Sequence, residues 1–94
     1  MKPLTDDQID AAIAELPGWT REGDALQREW RFGSFRESMG FLVRMAFEAE
    51  ELDHHPEVWN VYDRVRLTLT THDAGNRITE KDVALARALS DLPS

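Results

Sequence analysis

Three histidines, the only ones in the 94-residue chain, lie in two short segments: His54 and His55 are adjacent, and His72 follows later. Imidazole is the side chain whose unperturbed pKa, about 6.5, lets it gain or lose a proton near neutral pH. Further polar residues flank the histidines, namely Glu50, Asp53, Thr71 and Asp73. Two or three imidazoles around one pocket could protonate a leaving group and accept a proton elsewhere, each step contributing roughly 10²–10⁴-fold to a rate. The pattern predicts an acid–base site, provided that the fold brings the two segments together.

Other interpretations of these residues stay open at this point. The histidines could be structural, with His54 and His55 at a polar helix end and His72 at the end of a strand. They could also hold a metal ion, because nitrogen and carboxylate ligands from the three histidines and Glu50 would suit zinc. Adjacent histidines point apart in a helix or a strand, however, and the spacing matches no standard zinc motif. The spacing therefore argues against a metal site.

The composition excludes several classes of protein. There is no cysteine, which rules out disulfides and thiolate catalysis. No serine lies in a nucleophile-elbow pattern, and no glycine-rich phosphate loop is found. The net charge of −7 argues against a general binder of nucleic acid or of anionic membranes. With 41% hydrophobic residues, no membrane-spanning apolar run and no signal-peptide pattern, we expect one folded domain over residues 1–94, located in the cytoplasm.

Hydrophobic periodicity predicts the order helix, two strands, long helix, two strands, helix. Capping boxes of Thr5 with Gln8 and of Ser34 with Glu37 mark the first two helix starts, and Thr79 is expected to cap the last helix. The predicted helices cover Leu4 to Pro17, Phe35 to about Leu52, and the residues after Thr79. The predicted strands cover Trp19 to Arg21, Ala25 to Phe32, Val58 to Tyr62 and Val65 to Thr71. Isolated hairpins are marginally stable, so one sheet should join them. We predict an α+β fold of two layers, a four-stranded antiparallel sheet packed against helices.

The same patterns predict which faces are buried. In the long helix a wide apolar stripe should lie on the sheet, formed by Phe35, Met39, Leu42, Met45, Ala46, Ala49 and Leu52. Phe41, Val43 and Phe47 lie outside that stripe and indicate a second buried face, such as a subunit contact. In the last strand Val65, Leu67 and Leu69 share the apolar face, which leaves His72 on the polar side if the pleat continues that far.

A longer series of residues carries a resemblance. Its members, in order, are Gly18-Trp19, Ser34-Phe35, Glu50, His54-His55-Pro56, Tyr62, Thr71-His72 and Asp82. This series resembles the pterin-4a-carbinolamine dehydratase family, and the resemblance covers nearly all of the chain from Leu16 to Leu89. One departure is the loop from Asp73 to Ile78, which is a residue longer than in many relatives and has Asn76-Arg77 where a second glycine is often found.

The resemblance implies a reaction and a substrate. It implies loss of water from a 4a-hydroxytetrahydropterin to give quinonoid dihydropterin, in the recycling of tetrahydrobiopterin, with no cofactor. It also implies a homodimer or homotetramer. The alternatives are a non-catalytic role as a dimerisation cofactor that binds a protein partner, and a different pterin-linked role such as one in molybdopterin metabolism.

The resemblance also implies roles for individual residues. The three histidines form the catalytic set, with His54 and His72 as acid–base groups and His55 mainly holding substrate. Glu50 would orient or polarise a histidine. Polar contacts to the pterin ring would come from Asp53, Thr71 and Asp73, and Trp19 would either line the pocket or fill the core. Asp82 is expected to cap the last helix rather than to act in catalysis.

Overall fold

The computed structural model describes residues 1–93, which form a four-stranded sheet with helices packed on one face. The helices are α1 (Asp6–Ala14), α2 (Phe35–Glu51) and α3 (Glu80–Ser90), and a short 3₁₀ helix covers His72–Ala74. The strands are β1 (Thr20–Glu22), β2 (Ala25–Arg31), β3 (Glu57–Val61) and β4 (Arg64–Leu69). Every pairing is antiparallel and the strand order is β1-β2-β4-β3. The predicted α+β fold class is confirmed.

Capping residues begin the helices at the predicted positions. Thr5 and Gln8 form a reciprocal capping box at α1, and Thr79 and Asp82 form another at α3. Each box satisfies backbone N–H groups that have no partner within the helix. At α2 the Ser34 hydroxyl accepts the Glu37 backbone N–H at 3.2 Å. The predicted box is only half formed there, because the Glu37 carboxylate accepts a hydrogen bond from the Ser34 hydroxyl at 3.4 Å.

The core lies between the sheet and the helices. Along β4 the side chains alternate strictly, and Val65, Leu67 and Leu69 are fully buried as predicted. Trp30 of β2 lies on the same face and packs against Phe41 of α2, with ring centroids 4.8 Å apart. This contact corrects one prediction, because Phe41 was expected outside the buried stripe and is in fact 0% exposed.

The buried face of α2 is rotated relative to the predicted one. Its buried residues are Ser38, Phe41, Met45 and Ala49. Phe35, Ala46 and Leu52, which were predicted to lie on the sheet, are exposed instead. Val43 and Phe47 are 58% and 73% exposed, so an apolar surface of α2 remains uncovered in the single chain.

Two connections differ from prediction. Tyr62 was expected at the end of a strand, but it lies in the turn between β3 and β4 with φ +51°. His72 was expected to continue the polar parity of β4. The strand ends at Leu69, however, and His72 begins the 3₁₀ helix, so the position of its imidazole is set by a loop rather than by the pleat. Within residues 1–93 no helix is long and apolar enough to cross a membrane.

Candidate active site

The C-terminal end of α2 positions His54. Leu52 caps the helix and Asp53 adopts the left-handed conformation with φ +50°. The His54 N–H donates to the Ala49 carbonyl at 3.0 Å, and the Asp53 N–H donates to the Glu50 carbonyl at 3.1 Å. These two hydrogen bonds are those of a Schellman motif, which satisfies carbonyls at the helix end and reverses the chain. As a result His54 turns back into the protein and is only 8% exposed.

A buried carboxylate holds His54. Nε2 of His54 lies 2.5 Å from Oδ1 of Asp82, a residue that is 0% exposed. The other oxygen of Asp82 accepts the Thr71 hydroxyl and the Thr79 backbone N–H, each at 2.9 Å. Asp82 therefore caps α3, as predicted, and also binds a predicted catalytic histidine. That second contact was not predicted.

Hydrogen placement follows from the partners. The hydroxyls of Thr71 and Thr79 lie 2.6 Å apart. Because the Thr71 hydroxyl donates to Asp82, the Thr79 hydroxyl donates to Thr71. An ionised carboxylate only accepts hydrogen bonds, so Nε2 of His54 must donate to Asp82 and carries the hydrogen of the neutral ring. Among the described residues no buried side-chain nitrogen or oxygen lacks a partner, so Nδ1 of His54, which has none, is accessible from outside.

The other two histidines are held in the same way by exposed partners. Nε2 of His55 lies 3.0 Å from Oε1 of Glu50, and Nδ1 of His72 lies 3.0 Å from Oδ1 of Asn76. Carboxylate and amide oxygens only accept, so the histidine nitrogen donates in both contacts. This leaves Nδ1 of His55 and Nε2 of His72 with a lone pair in the neutral ring. Each of the three imidazoles thus has one nitrogen held by the protein and one available for chemistry.

The three histidines line one hollow of about 250 Å³, here called the histidine cleft. Its lining residues are His54, His55 and His72 with Asp53, Thr70, Thr71, Asp73 and Lys81. The fold therefore joins the two histidine segments, as an acid–base site requires. Thr70 and Lys81 were not predicted, and no local pattern in the sequence singles them out.

Two predicted site residues lie apart from the histidine cleft. Trp19 is 3% exposed and belongs to the core, where its ring meets Trp30 edge to face and its Nε1–H donates to Ser90 at 3.0 Å. Trp19 was expected either to line the pocket or to fill the core, and it fills the core. Glu50 also lies outside the cleft and reaches it only through His55.

Two further hollows adjoin the histidines. One, of about 580 Å³, shares His55 and His72 with the cleft and adds Asp24, Glu57 and Asn76. The other, of about 560 Å³, is the apolar groove between α2 and β3, lined by Val43, Met45, Ala46, Phe47, Ala49, Pro56 and Val58 with Glu50 and His55 at its polar end. In the part of the chain that the structure describes, no three acidic or histidine side chains are grouped so as to hold a metal ion.

The fold and the cleft define an α+β protein in which three histidines line one hollow. A model of the pterin 4 alpha carbinolamine dehydratase family matches residues 2–92. A protein of Opitutus terrae named "Putative pterin-4-alpha-carbinolamine dehydratase" is 61% identical over 84 residues, which are 89% of this chain and 87% of that protein. The chain therefore belongs to the pterin 4 alpha carbinolamine dehydratase family.

Two solved structures share the fold. The crystal structure of a transcriptional coactivator/pterin dehydratase from Brucella melitensis matches with a TM-score of 0.87 and 39% identity, covering 93% of this chain and 94% of that one. A pterin dehydratase-like protein described as a RuBisCO assembly factor in the alpha-carboxysome matches with a TM-score of 0.66 and 25% identity, over 78% of this chain and 86% of that one. The same fold thus occurs in a protein described as an assembly factor.

Proposed function

We propose that this protein dehydrates a 4a-hydroxytetrahydropterin to quinonoid dihydropterin and water. The observation that supports the proposal is that three histidines line one cleft in a chain of this family, each with a free ring nitrogen. In the reaction the C4a–O bond breaks and the hydroxyl leaves as water after taking up one proton. N5 loses its proton as the C4a=N5 double bond forms. One proton is given and one is taken, so imidazoles can carry out both transfers.

The partners of the histidines suggest which histidine donates a proton to the substrate and which one accepts a proton from it. His54 is backed by the carboxylate of Asp82, which can stabilise the imidazolium, so we assign it as the acid that protonates the departing hydroxyl through Nδ1. His72 is backed by the uncharged amide of Asn76, so we assign it as the base that accepts the N5 proton on Nε2. His55, oriented by Glu50, is assigned to hold the substrate.

The remaining cleft residues are proposed to bind the pterin ring. Asp53 and Asp73 would accept hydrogen bonds from its amino group and ring N–H. The hydroxyl of Thr71 is already engaged with Asp82 and Thr79, so its contribution is to hold Asp82 in place. We further propose that the reaction belongs to tetrahydrobiopterin recycling and takes place in the cytoplasm.

The test is dehydration of chemically generated 4a-hydroxytetrahydropterin, followed by ultraviolet absorbance. Wild type should accelerate the reaction, and His54→Ala and His72→Ala should each lower kcat by roughly 10²–10⁴-fold, the usual contribution of an acid–base group. Circular dichroism should show His72→Ala to be folded, since this histidine is exposed. A folded wild type that gives no acceleration would refute the dehydratase proposal.

A second candidate function is binding of a protein partner through the apolar groove. It is favoured by the exposure of Val43 and Phe47, at 58% and 73%, beside a groove of about 560 Å³. Exposed apolar patches of this kind mark interaction sites in soluble proteins. The occupant that we propose is a second copy of the chain, giving a homodimer or homotetramer; capture of a different protein would instead support a role in assembly.

Self-association can be tested at Phe47. Phe47→Asp places a charge in the groove and should convert a wild-type dimer or tetramer to a monomer, as measured by light scattering coupled to size exclusion. Ala84→Asp is the control, because it introduces the same side chain at an exposed position of α3. A monomeric wild type at high protein concentration would contradict the proposed self-association.

A further inference from the structure

The loop after the 3₁₀ helix places an amide oxygen behind His72. Oδ1 of Asn76 lies 3.0 Å from Nδ1 of His72, and both residues line the hollow next to the histidine cleft. Asn76 falls in the loop that differs from the expected family pattern, where a second glycine is often found. A glycine there would have no side chain to meet the imidazole.

The backbone fixes this contact. Gly75 and Asn76 both adopt the left-handed conformation, with φ of +75° and +60°. Asparagine is one of the few residues other than glycine that does so at low cost. The Asn76 N–H donates to the Thr71 carbonyl at 3.1 Å, and the Thr71 N–H donates to the Arg77 carbonyl at 3.0 Å. The backbone of Asn76 is therefore anchored to Thr71, whose hydroxyl also binds the buried Asp82.

An amide oxygen cannot donate a hydrogen bond, so the contact requires the hydrogen of neutral His72 to be on Nδ1. Nε2 then presents its lone pair to the cleft. Without a partner on Nδ1, histidine favours the tautomer with its hydrogen on Nε2, and that tautomer cannot accept a proton at Nε2. Asn76 is also uncharged, in contrast to Glu50 and Asp82, so it selects the tautomer without adding a charge that would favour the imidazolium.

We propose that Asn76 is a positioning residue that holds the proton of His72 on Nδ1 and so presents Nε2 as the base of the reaction. The catalytic part of this inference rests on the proposed dehydratase function. The tautomer itself can be observed without any substrate.

The experiment combines nitrogen-15 NMR of the histidine rings with kinetics. In wild type His72 should be the Nδ1–H tautomer at a pH where it is neutral. Asn76→Gly keeps the left-handed backbone while deleting the amide, and should shift His72 towards the Nε2–H tautomer. Its kcat should fall about 10- to 100-fold while KM stays nearly constant, because proton transfer is impaired and binding is not.

Asn76→Asp provides the rescue. Its carboxylate accepts from Nδ1 as the amide does, so the Nδ1–H tautomer should return. The added negative charge favours the imidazolium, so the base becomes neutral only at higher pH and the acidic limb of the kcat profile should move upward in pH. A residue that merely stabilised the loop would produce no such shift.

Three outcomes would overturn the proposal in distinguishable ways. An Nε2–H tautomer of His72 in an active wild type would overturn the role of Asn76 alone. Unchanged kcat in Asn76→Gly, with the tautomer shifted, would show that the choice of nitrogen does not matter for catalysis. Absence of wild-type activity would overturn the dehydratase function and with it the catalytic use of His72.

Discussion

Asp82→Asn is expected to remove most of the dehydratase activity and to destabilise the fold at the same time. Three donors converge on this carboxylate: Nε2 of His54, the hydroxyl of Thr71 and the backbone N–H of Thr79. An amide has only one oxygen, so its NH₂ must face one of these donors. If it faces His54, Nε2 must become an acceptor, and the ring can no longer exist as the imidazolium that the proposed acid requires. We expect kcat to fall about 10²–10⁴-fold, as when an acid–base group is removed.

The stability loss has the same origin. The NH₂ group of the asparagine leaves a buried donor facing another donor, and a buried polar group without a partner typically costs about 1–3 kcal/mol. The free energy of unfolding, measured by urea denaturation, should fall by that order in Asp82→Asn. Asp10→Asn makes the same chemical change at an exposed site on α1 and should alter stability by less than about 0.5 kcal/mol. If Asp82→Asn had the same kcat and stability as wild type, both the buried network and its role in positioning His54 would be contradicted.

Phe41→Ala should be the most destabilising change that leaves the cleft residues untouched. The ring is 0% exposed and packs against Trp30 at 4.8 Å and Phe32 at 5.2 Å between centroids. Deleting a buried phenylalanine ring removes apolar burial and leaves a cavity, which together cost about 3–5 kcal/mol. The expected result is a reduction of that size in the free energy of unfolding, with an unchanged dependence on urea concentration if the transition stays two-state.

Phe47→Ala is the matched control for this prediction. It deletes the same ring from the same helix at a position that is 73% exposed. At a protein concentration where light scattering finds only monomer, it should change stability by less than about 0.5 kcal/mol. If the two variants lost equal stability under that condition, the assignment of Phe41 to the core face would be wrong.

Phe41 also shows where sequence reasoning about α2 reached its limit. Apolar residues occupy two faces of this helix, and periodicity alone does not say which face meets the sheet. That choice depends on packing against Trp30 of β2 and Phe32 just after it, which is a tertiary effect. By contrast, β4 has apolar residues on one parity only, so its buried face was predicted correctly. The capping boxes at Thr5 and Thr79 were also predictable, because each depends on residues three positions apart.

The candidate site was also predictable in part. The imidazoles and the acidic residues beside them could be found from residue type and clustering. The contact between His54 and Asp82 could not, because it joins residues 28 positions apart through the docking of α3. The only sequence signal for it was the aspartate in the family series, and its capping position offered a sufficient explanation. The contact of Asn76 with His72 likewise depends on the left-handed loop conformation, which the sequence suggested only through Gly75-Asn76.

The three histidine partners differ greatly in how freely they can vary. Asp82 lies within the core, so a substitution there changes folding and catalysis together and is rejected on either ground. Glu50 and Asn76 lie at the surface, so each can be exchanged while the fold stays intact. Mutations at Glu50 or Asn76, whether natural or from a directed-evolution experiment, can therefore change the surroundings of His55 or His72 separately. The surroundings of His54 cannot be changed in this way without loss of stability.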